Sequence, residues 1–411
     1  MGGATFGEMI RRPLANLRFN RAEASGAVAD LGTFLPLLVG MVSRCGLHLG
    51  HALLFAGVAG VVAGLTFGIP IPIQPMKAIA IVAITEGMTM SEISAAGMLT
   101  GAVMLALGLT GLIGWINRVV PRILVRAVQL ALGIKLLMTG VAMSTAMQPR
   151  MGWQGITLAA VSCGLLLGLR SSRRVPAALA VFVLGLVALF AAQPQLFTSL
   201  RLGLEWPALQ SISKSDWIPA LWRGAVPQIP LTVLNSVMAV SLLSADLFGE
   251  RRAEPGKLAL SVGLLNVLLC PFGAMPMCHG AGGLAAHYRF GARTGGCAII
   301  LGTANIVLAL LFGSSLLALL SHYPLSVLGV LLAFAGVELA LVCREEKVLK
   351  DVVAMVLGAV ACVVTNFAVG FLFGWAVVLL MRAGERIVTA RRDKSKTQAL
   401  RAAAPPTCLK G

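Results

Sequence analysis

The chain has 411 residues, of which 58% are hydrophobic and only 12% are charged, and its mean hydropathy is +0.89. This composition predicts a polytopic protein of a lipid bilayer and excludes an ordinary water-soluble domain. The net charge of +17 does not indicate nucleic-acid binding, because the basic residues separate the apolar runs and load the two ends of the chain.

No pattern in the sequence indicates an enzyme, a metal site or a bound cofactor. The eight cysteines are scattered and form no CxxC pair, so neither a zinc site nor a disulfide framework is predicted. Nucleotide-binding loops, HExxH motifs and paired carboxylates at a useful spacing are also absent from the sequence, which argues against catalysis and against ATP-driven transport by this chain.

The apolar runs predict an all-α membrane protein with two repeats, residues 21–193 and residues 217–382. A basic cytoplasmic arm (1–20), an extracytoplasmic connection (194–216) and a basic cytoplasmic tail (383–411) complete the chain. About fourteen membrane segments are predicted, near 21–42, 51–67, from about 74, 93–116, 122–145, 153–169, 176–193, 218–240, 257–270, 281–290, 295–320, 324–342, 349–364 and 366–382.

The lysines and arginines predict the orientation of the chain. With the N-terminus in the cytoplasm and fourteen spans, most basic loop residues fall on the cytoplasmic side, as the positive-inside rule requires. These residues are Arg118, Arg122, Arg126, Arg170, Arg173, Arg174, Arg251, Arg252, Lys257, Arg289, Arg293, Arg344, Lys347 and Lys350. Both termini are therefore predicted to be cytoplasmic, in a protein of the plasma membrane.

Two predicted spans, the third and the tenth, are interrupted in a way that a normal membrane helix is not. Pro70, Pro72 and Pro75 prevent a continuous helix in the stretch GIPIPIQPMKAIA, and a short helix follows from about Gln74. The second stretch, CPFGAMPMCHGAGGLAAHYRF, leads into a short helix from about Ala281. Non-helical backbone at membrane depth is tolerated only where protein covers it or where it lines a cavity.

The two short half-helices predict an anion site. A helix N-terminus presents unpaired N–H groups and partial positive charge, and both suit a negative ligand. We expect the two N-termini to meet at the midplane of the membrane, with room between them for one ligand of modest size.

The interrupted spans occupy matching places in an internal repeat. The sequence GAV opens the first span at 26–28 and the eighth at 224–226, and FG precedes the two breaks at 67–68 and 272–273. With about seven spans in each half, an odd number, the halves must be inverted relative to each other. Inverted repeats with two discontinuous helices are typical of secondary transporters that bind their substrate near the midplane.

Four stretches carry a resemblance to a known family: GAVADLGTFLPLL (26–38), PIPIQPMKAIA (70–80), VPQIPLTVLNSVMAV (226–240) and FGAMPMCHGAGGLAAHYRFGARTG (272–295). They resemble the molybdate transporter family, a branch related to the SulP sulfate permeases. The resemblance implies a seven-plus-seven inverted-repeat fold with a core and a scaffold domain, import of the molybdate oxyanion and a homodimer. It also implies that the tail holds no STAS domain, unlike the usual sulfate permease.

The candidate substrate-binding groups are neutral donors, one lysine and backbone N–H groups at the two helix starts and in the eighth span. They are Gln74, Met76, Lys77, Gln228, Thr232, His279, Gly280, Ala281, Gly282 and Gly283. Two of these have an alternative role: Lys77 either attracts the dianion or pairs with Asp30, and His279 either donates to the oxyanion or holds the loop.

Four further polar residues are candidates for coupling or gating. They are Asp30, Lys135, Asn235 and Glu338. Lys135 and Glu338 occupy matching places in the two repeats, where an ion pair, a proton relay and two separate structural charges are all open alternatives. Proton coupling and the absence of a coupling ion stay open as well.

The sequence therefore predicts a transporter for molybdate, with tungstate and sulfate as further candidate ligands. Transport of sulfate or another small anion by the same fold, and an anion channel, remain the alternatives.

Overall fold

The computed structural model of this chain describes residues 16–29, 31–115, 121–145, 152–169, 172, 177–198, 206–345, 348–365, 369–381 and 383. Asp30 lies outside the described residues, as do most of the N-terminal arm, part of the predicted connection and nearly all of the tail. What was predicted for those residues stays a prediction.

The first half of the chain is helical apart from one short strand. Its elements are α1 (Arg21–Ala29), α2 (Leu31–Cys45), α3 (Leu49–Phe67), β1 (Gln74–Pro75), α4 (Lys77–Glu86), α5 (Met90–Thr110), α6 (Arg122–Thr145), α7 (Gly152–Leu169), α8 (Ala177–Ala192) and a single turn at Gln195–Thr198. Local signals explain several boundaries. Gly68 and Gly87 end α3 and α4 in the left-handed conformation, and Thr89 and Glu92 form a capping box that begins α5.

The second half is also helical apart from one short strand. Its elements are α9 (217–248), α10 (Pro255–Leu269), β2 (Met277–Cys278), α11 (Ala281–Arg289), α12 (Gly296–Ser321), α13 (Leu325–Leu341), α14 (Leu349–Val364) and α15 (Val369–Met381). Short 3₁₀ turns lie at Lys214–Asp216, Gly249–Arg251, Cys270–Phe272 and Val342–Glu345.

Helix α9 is irregular along its length, because Pro227 and Pro230 lie inside it and lack the N–H that a regular helix requires. Wider π-helical turns flank them at Ala220–Ala225 and Thr232–Met238.

The helices agree closely with the predicted apolar segments, and both predicted half-helices are present as α4 and α11. In the described part of the chain, six helices are long and apolar enough to cross a membrane, or seven if α1 and α2 count as one bent span. The shorter apolar helices α7, α8, α13 and α15 are additional to these. The count of fourteen spans and the inverted seven-plus-seven arrangement remain predictions.

The expectation of an all-α chain was wrong in one place. Strands β1 and β2 pair antiparallel, with Gln74 opposite Cys278 and Pro75 opposite Met277. The prolines that stop the helix leave extended backbone whose polar groups still need partners, and the second interrupted stretch supplies them. This ladder brings the starts of α4 and α11 together.

The helices form two bundles, which we call the first bundle (α1–α5 with α9–α12) and the second bundle (α6–α8 with α13–α15). Each is built around glycine contacts between helices. A Cβ added to Gly57 of α3 would lie 2.5 Å from the Gly302 oxygen of α12, and one added to Gly133 of α6 would lie 2.7 Å from the Gly336 oxygen of α13. Glycine therefore allows the helix backbones to approach closely, as membrane helix pairs often do.

Candidate substrate-binding site

A cavity of about 470 Å³ lies between the two bundles. The first bundle contributes Ala29, Thr33, Leu37, Lys77, Ile81, Asn235, Gly282 and Arg289, with Phe290 just after α11. The second bundle contributes Gln129, Leu136, Leu166, Leu169, Ala177, Ala178, Leu331, Phe334, Ala335, Glu338 and Leu339, with Ser172 between α7 and α8. Four of the predicted residues therefore line one cavity: Lys77, Asn235, Gly282 and Glu338.

The cavity reaches one face of the protein. Leu169, Ser172 and Ala177 lie where α7 is followed by α8, and Arg289 and Phe290 lie at the end of α11. These helix ends are the ones that the distribution of lysine and arginine predicts to be cytoplasmic. The start of α4 and the start of α11 lie deeper along the same cavity.

The start of α11 is open to the cavity. Gly280 is its N-cap residue and provides no side-chain hydrogen bond to the first turn. Gly282 is exposed to the cavity, and a Cβ added to it would meet no atom within 4 Å. The first-turn N–H groups of Ala281, Gly282 and Gly283 therefore lie where small side chains leave room for a ligand.

The start of α4 is capped by a distant glutamine. Oε1 of Gln228, on α9, accepts hydrogen bonds from the backbone N–H of Ala78 (2.8 Å) and of Ile79 (3.3 Å). Nε2 of the same side chain donates to the Thr232 hydroxyl at 2.8 Å. Gln228 and Thr232 are both buried and lie behind the cavity wall. The structure thus bonds Gln228 to α4 and Thr232 to Gln228, and contact of either residue with substrate stays a prediction.

Gln74 and Met76 belong to the ladder that joins the two helix starts. The Gln74 side chain is fully buried, and its Oε1 atom occupies the space that a Cβ on Gly280 would need. Met76 is fully buried as well, and its backbone N–H donates to the Pro276 oxygen at 2.8 Å. Neither residue lines the cavity.

His279 is fully buried behind the cavity, and both of its ring nitrogens are engaged within the protein. Nδ1 lies 3.1 Å from the Pro72 oxygen and Nε2 lies 3.0 Å from Oγ of Ser261. Because a carbonyl oxygen only accepts, Nδ1 donates to Pro72 and Nε2 accepts from the serine hydroxyl. This geometry supports the alternative in which His279 holds the loop, and its contact with substrate remains a prediction.

Two polar side chains that the sequence did not single out position the interrupted segments. His287 of α11 donates through Nδ1 to the Pro70 oxygen at 2.9 Å. Asn266 of α10 accepts from Met277 N–H at 2.7 Å and donates to the Met277 oxygen at 2.6 Å. An asparagine in the middle of an apolar helix was the available signal, since a buried amide requires partners.

The predicted coupling residues lie in different places. Asn235 and Glu338 face the cavity from opposite bundles. Nζ of Lys135 contacts Oε1 of Glu86, the last residue of α4, at 2.7 Å. The structure thus pairs Lys135 with Glu86, and the alternatives for Lys135 together with Glu338 stay predictions.

The chemistry of the cavity suits an anion. Lys77 and Arg289 bring two positive charges to it, the start of α11 adds N–H donors, and Glu338 is its one acid among the described residues. Among the described residues, no group of three or more His, Cys, Asp or Glu could hold a metal ion.

Comparison with known proteins agrees with the sequence resemblance. A family described as molybdate transporter of the MFS superfamily matches residues 22–136 and 220–339. Molybdate transporter 1 of Arabidopsis thaliana is 38% identical over 92% of this chain and 92% of its own length. Molybdate transporter 1 of Chlamydomonas reinhardtii is 34% identical over 93% of this chain and 95% of its own length.

Solved structures show the same fold at low sequence identity. The transmembrane domain of a cyanobacterium bicarbonate transporter, BicA, matches with a TM-score of 0.65 and 18% identity, over 86% of this chain and 98% of that one. Murine Slc26a9, an anion transporter in the inward-facing state, matches with a TM-score of 0.69 and 12% identity, over 92% of this chain and 71% of that one. The extent of the family match and of the plant and algal relatives places this chain in the molybdate transporter family.

Proposed function

We propose that this protein is a secondary transporter that imports molybdate across the plasma membrane by alternating access. The oxyanion binds at the start of α11, beside Lys77. One observation carries the proposal: the uncapped first turn of α11 and a lysine from the start of α4 line the same cavity, between two bundles. The names of the relatives support molybdate as the substrate and transport, not catalysis, as the activity.

The binding chemistry follows from charge and shape. Molybdate is a tetrahedral dianion, so its oxygens accept several hydrogen bonds at once. The N–H groups of Ala281, Gly282 and Gly283 converge on one point at a helix start, where the helix dipole favours negative charge. Lys77 supplies a full positive charge from the opposite half-helix. Cavity size and donor spacing then favour molybdate and tungstate over the smaller sulfate.

The structure supports a state that is open to the cytoplasm. The cavity runs from Lys77 and Gly282 to Ser172 and Arg289, near helix ends that the positive-inside rule assigns to that side. In the cycle we propose, the first bundle carries the substrate site and moves against the second. The inverted seven-plus-seven repeat, the cytoplasmic termini and a homodimer belong to the same proposal.

Substitution of Gly282 by alanine tests the site. The added methyl meets no atom within 4 Å and so leaves the fold intact, but it occupies the cavity at the helix start. We expect calorimetry on the purified protein to show molybdate binding that tungstate displaces and sulfate barely disturbs. The G282A variant should bind molybdate at least about tenfold more weakly, since about 1.4 kcal/mol corresponds to a factor of ten.

Gly256 provides the matched control for this substitution. It also lies in the first turn of a helix, α10, and a Cβ there also meets no atom within 4 Å, but it is remote from the cavity. The G256A variant should bind molybdate as the unmodified protein does. Failure of the folded, unmodified protein to bind molybdate would contradict the proposal, and equal competition by sulfate would point to a general oxyanion carrier.

A further inference from the structure

An ion pair between described residues joins the two bundles. Lys135 belongs to α6 of the second bundle, and Glu86 ends α4 of the first bundle, with 2.7 Å between Nζ and Oε1. The two side chains are 18% and 22% exposed. A pair in this environment is shielded from water far more than a surface ion pair, so loss of one partner carries a measurable cost.

The acid of this pair is held in place by its own bundle. Arg223 of α9 donates from Nη2 to the backbone oxygen of Glu86 at 2.9 Å, and its Nε lies 3.6 Å from Oε2 of Glu86. Nη1 of Arg223 lies 3.3 Å from Oε1 of Glu92, on α5. Arg223 thereby ties the end of α4 to α5 and α9, all within the first bundle.

Without Lys135, the three charged groups at the end of α4 are not balanced. Glu86 and Glu92 carry two negative charges and Arg223 carries one positive charge, so these three groups together have a net charge of −1. Lys135 brings the cluster of four to neutrality. When the two bundles are in contact at Lys135 and Glu86, the net charge of the cluster is zero. When the bundles separate there, Glu86 loses Lys135 as a partner.

The ion pair lies at the end of α4 that points away from the mouth of the cavity. Along α4, Lys77 and Ile81 line the cavity, and Glu86 lies nine residues after Lys77, which corresponds to about 14 Å along a helix. Leu136, the neighbour of Lys135, lines the cavity together with Ile81 and Leu331. The open end, at Ser172 and Arg289, lies in the opposite direction.

We propose that the Lys135–Glu86 pair is a gate latch that closes the cavity on the side away from its mouth and must break each time the transporter opens to that side. This inference rests on the proposed alternating access. It assigns Glu86 and Lys135 a joint role in holding the two bundles together, which is separate from substrate binding.

The test measures from which side of the membrane the cavity can be reached. A cysteine at Ala335, which lines the cavity on α13, serves as the reporter for a membrane-impermeant maleimide. The reagent is applied to intact cells for the outer face and to inverted vesicles for the inner face. The parent without the cysteine at 335 corrects for labelling of the eight native cysteines.

Lys135→Met removes the charge and keeps an apolar chain of similar length. We expect labelling from outside to rise at least about fivefold. The state that is closed to the outside loses the ion pair, whereas the state that is open to the outside does not contain it. The equilibrium therefore shifts toward the open state. Labelling from inside should fall, and so should the maximal rate of molybdate uptake. The dissociation constant for molybdate in detergent should stay within about threefold of that of the parent. The charge-reversed pair K135E with E86K should return labelling toward that of the parent.

Two further variants keep the result interpretable. Glu86→Gln removes the same ion pair while keeping a side chain of the same size, and it should act like K135M. Lys257→Met breaks the 3.3 Å pair with Glu254, which lies beside it at the start of α10 within the first bundle, and it should change nothing.

The outcomes separate the latch from the proposed function. Outside labelling that is unchanged in both K135M and E86Q overturns the latch, even if uptake falls, because the pair would then serve packing alone. Such a result leaves the substrate site standing as long as the unmodified protein binds molybdate and G282A weakens that binding. Absence of molybdate binding by the unmodified protein instead removes the proposed function.

Discussion

The starts of α4 and α11 are similar in position and different in chemistry. Each follows one strand of the same two-stranded ladder, and neither has a capping side chain on its own N-cap residue, Met76 or Gly280. The Gln228 side chain, on α9, accepts hydrogen bonds from two backbone N–H groups of α4. In α11 the first-turn N–H groups lie beside Gly282, which faces the cavity.

The difference indicates that the two half-helices would contribute different chemistry to the proposed site. The α4 helix contributes a charged side chain, Lys77, while its inner N–H groups are already hydrogen-bonded to Gln228. The α11 helix contributes backbone N–H groups and no side-chain bulk. A single dianion needs charge and directed donors, and in the site we propose each half-helix would supply one of them.

The strongest test of this difference is the removal of the charge at Lys77. Lys77→Met keeps most of the side-chain volume and removes a cation from a partly shielded cavity, where an ion contact is worth several times its value in water. We expect the dissociation constant for molybdate, measured by calorimetry, to rise by about 100-fold, which corresponds to about 2.7 kcal/mol. Thermal unfolding in detergent should change little.

Lys77→Arg and Lys214→Met are the comparisons for that variant. The first keeps the charge and should recover most of the affinity, and the second removes an exposed lysine in the 3₁₀ turn before α9 and should have no effect. Affinity that is unchanged in Lys77→Met would mean that α11 binds the anion without help from α4.

The next effect concerns stability and distinguishes two glycines of the same helix start. In Gly280→Ala the new methyl would overlap Oε1 of the buried Gln74, so this substitution overpacks the ladder. We expect a loss of about 2 kcal/mol of stability, seen as a lower melting temperature in detergent. Gly282→Ala should melt at the temperature of the unmodified protein.

A double variant shows whether the clash is the cause. Gln74→Ala removes the side chain that Gly280→Ala meets, so the two substitutions together should melt at a higher temperature than Gly280→Ala alone. If the double variant is no more stable than that single variant, overlap with the Gln74 side chain is not the cause of the lost stability.

Much of the fold could be predicted from the sequence, because long apolar runs and clusters of proline or glycine are local signals. The prolines at 70, 72 and 75 marked the break before α4, and the glycines from 280 to 283 marked the break before α11. The ladder between β1 and β2 was missed, since each strand is only two residues long and its partner lies about 200 residues away.

The candidate site could be predicted less well, because a polar residue in an apolar segment does not reveal what it faces. Lys77 and Gly282 line the cavity, and their contact with substrate stays a prediction. Gln228 and His279 carry the same sequence signal, yet their side chains bond to protein backbone. The Glu86 partner of Lys135 was not predicted at all, since contacts between bundles depend on packing across the whole chain.

The smallest expected effect tests the capping role of Gln228. Gln228→Leu leaves the N–H groups of Ala78 and Ile79 buried without their present acceptor. We expect stability to fall by about 1–2 kcal/mol, as for the loss of a helix cap. The affinity for molybdate should change by less than about threefold, since a cap that does not touch the ligand acts on it only through the position of Lys77.

Gln228→Glu separates this role from direct contact with the substrate. Glutamate keeps an acceptor for the two N–H groups, so Gln228→Glu should melt at a higher temperature than Gln228→Leu. It should still melt below the unmodified protein, because it buries a carboxyl group and loses the N–H that donates to Thr232. If Gln228→Leu instead has normal stability and its affinity for molybdate falls as far as that of Lys77→Met, the result supports the role that the sequence pattern predicted. Gln228 would then be a ligand contact, and the two half-helices would share the anion more evenly than their hydrogen bonds indicate.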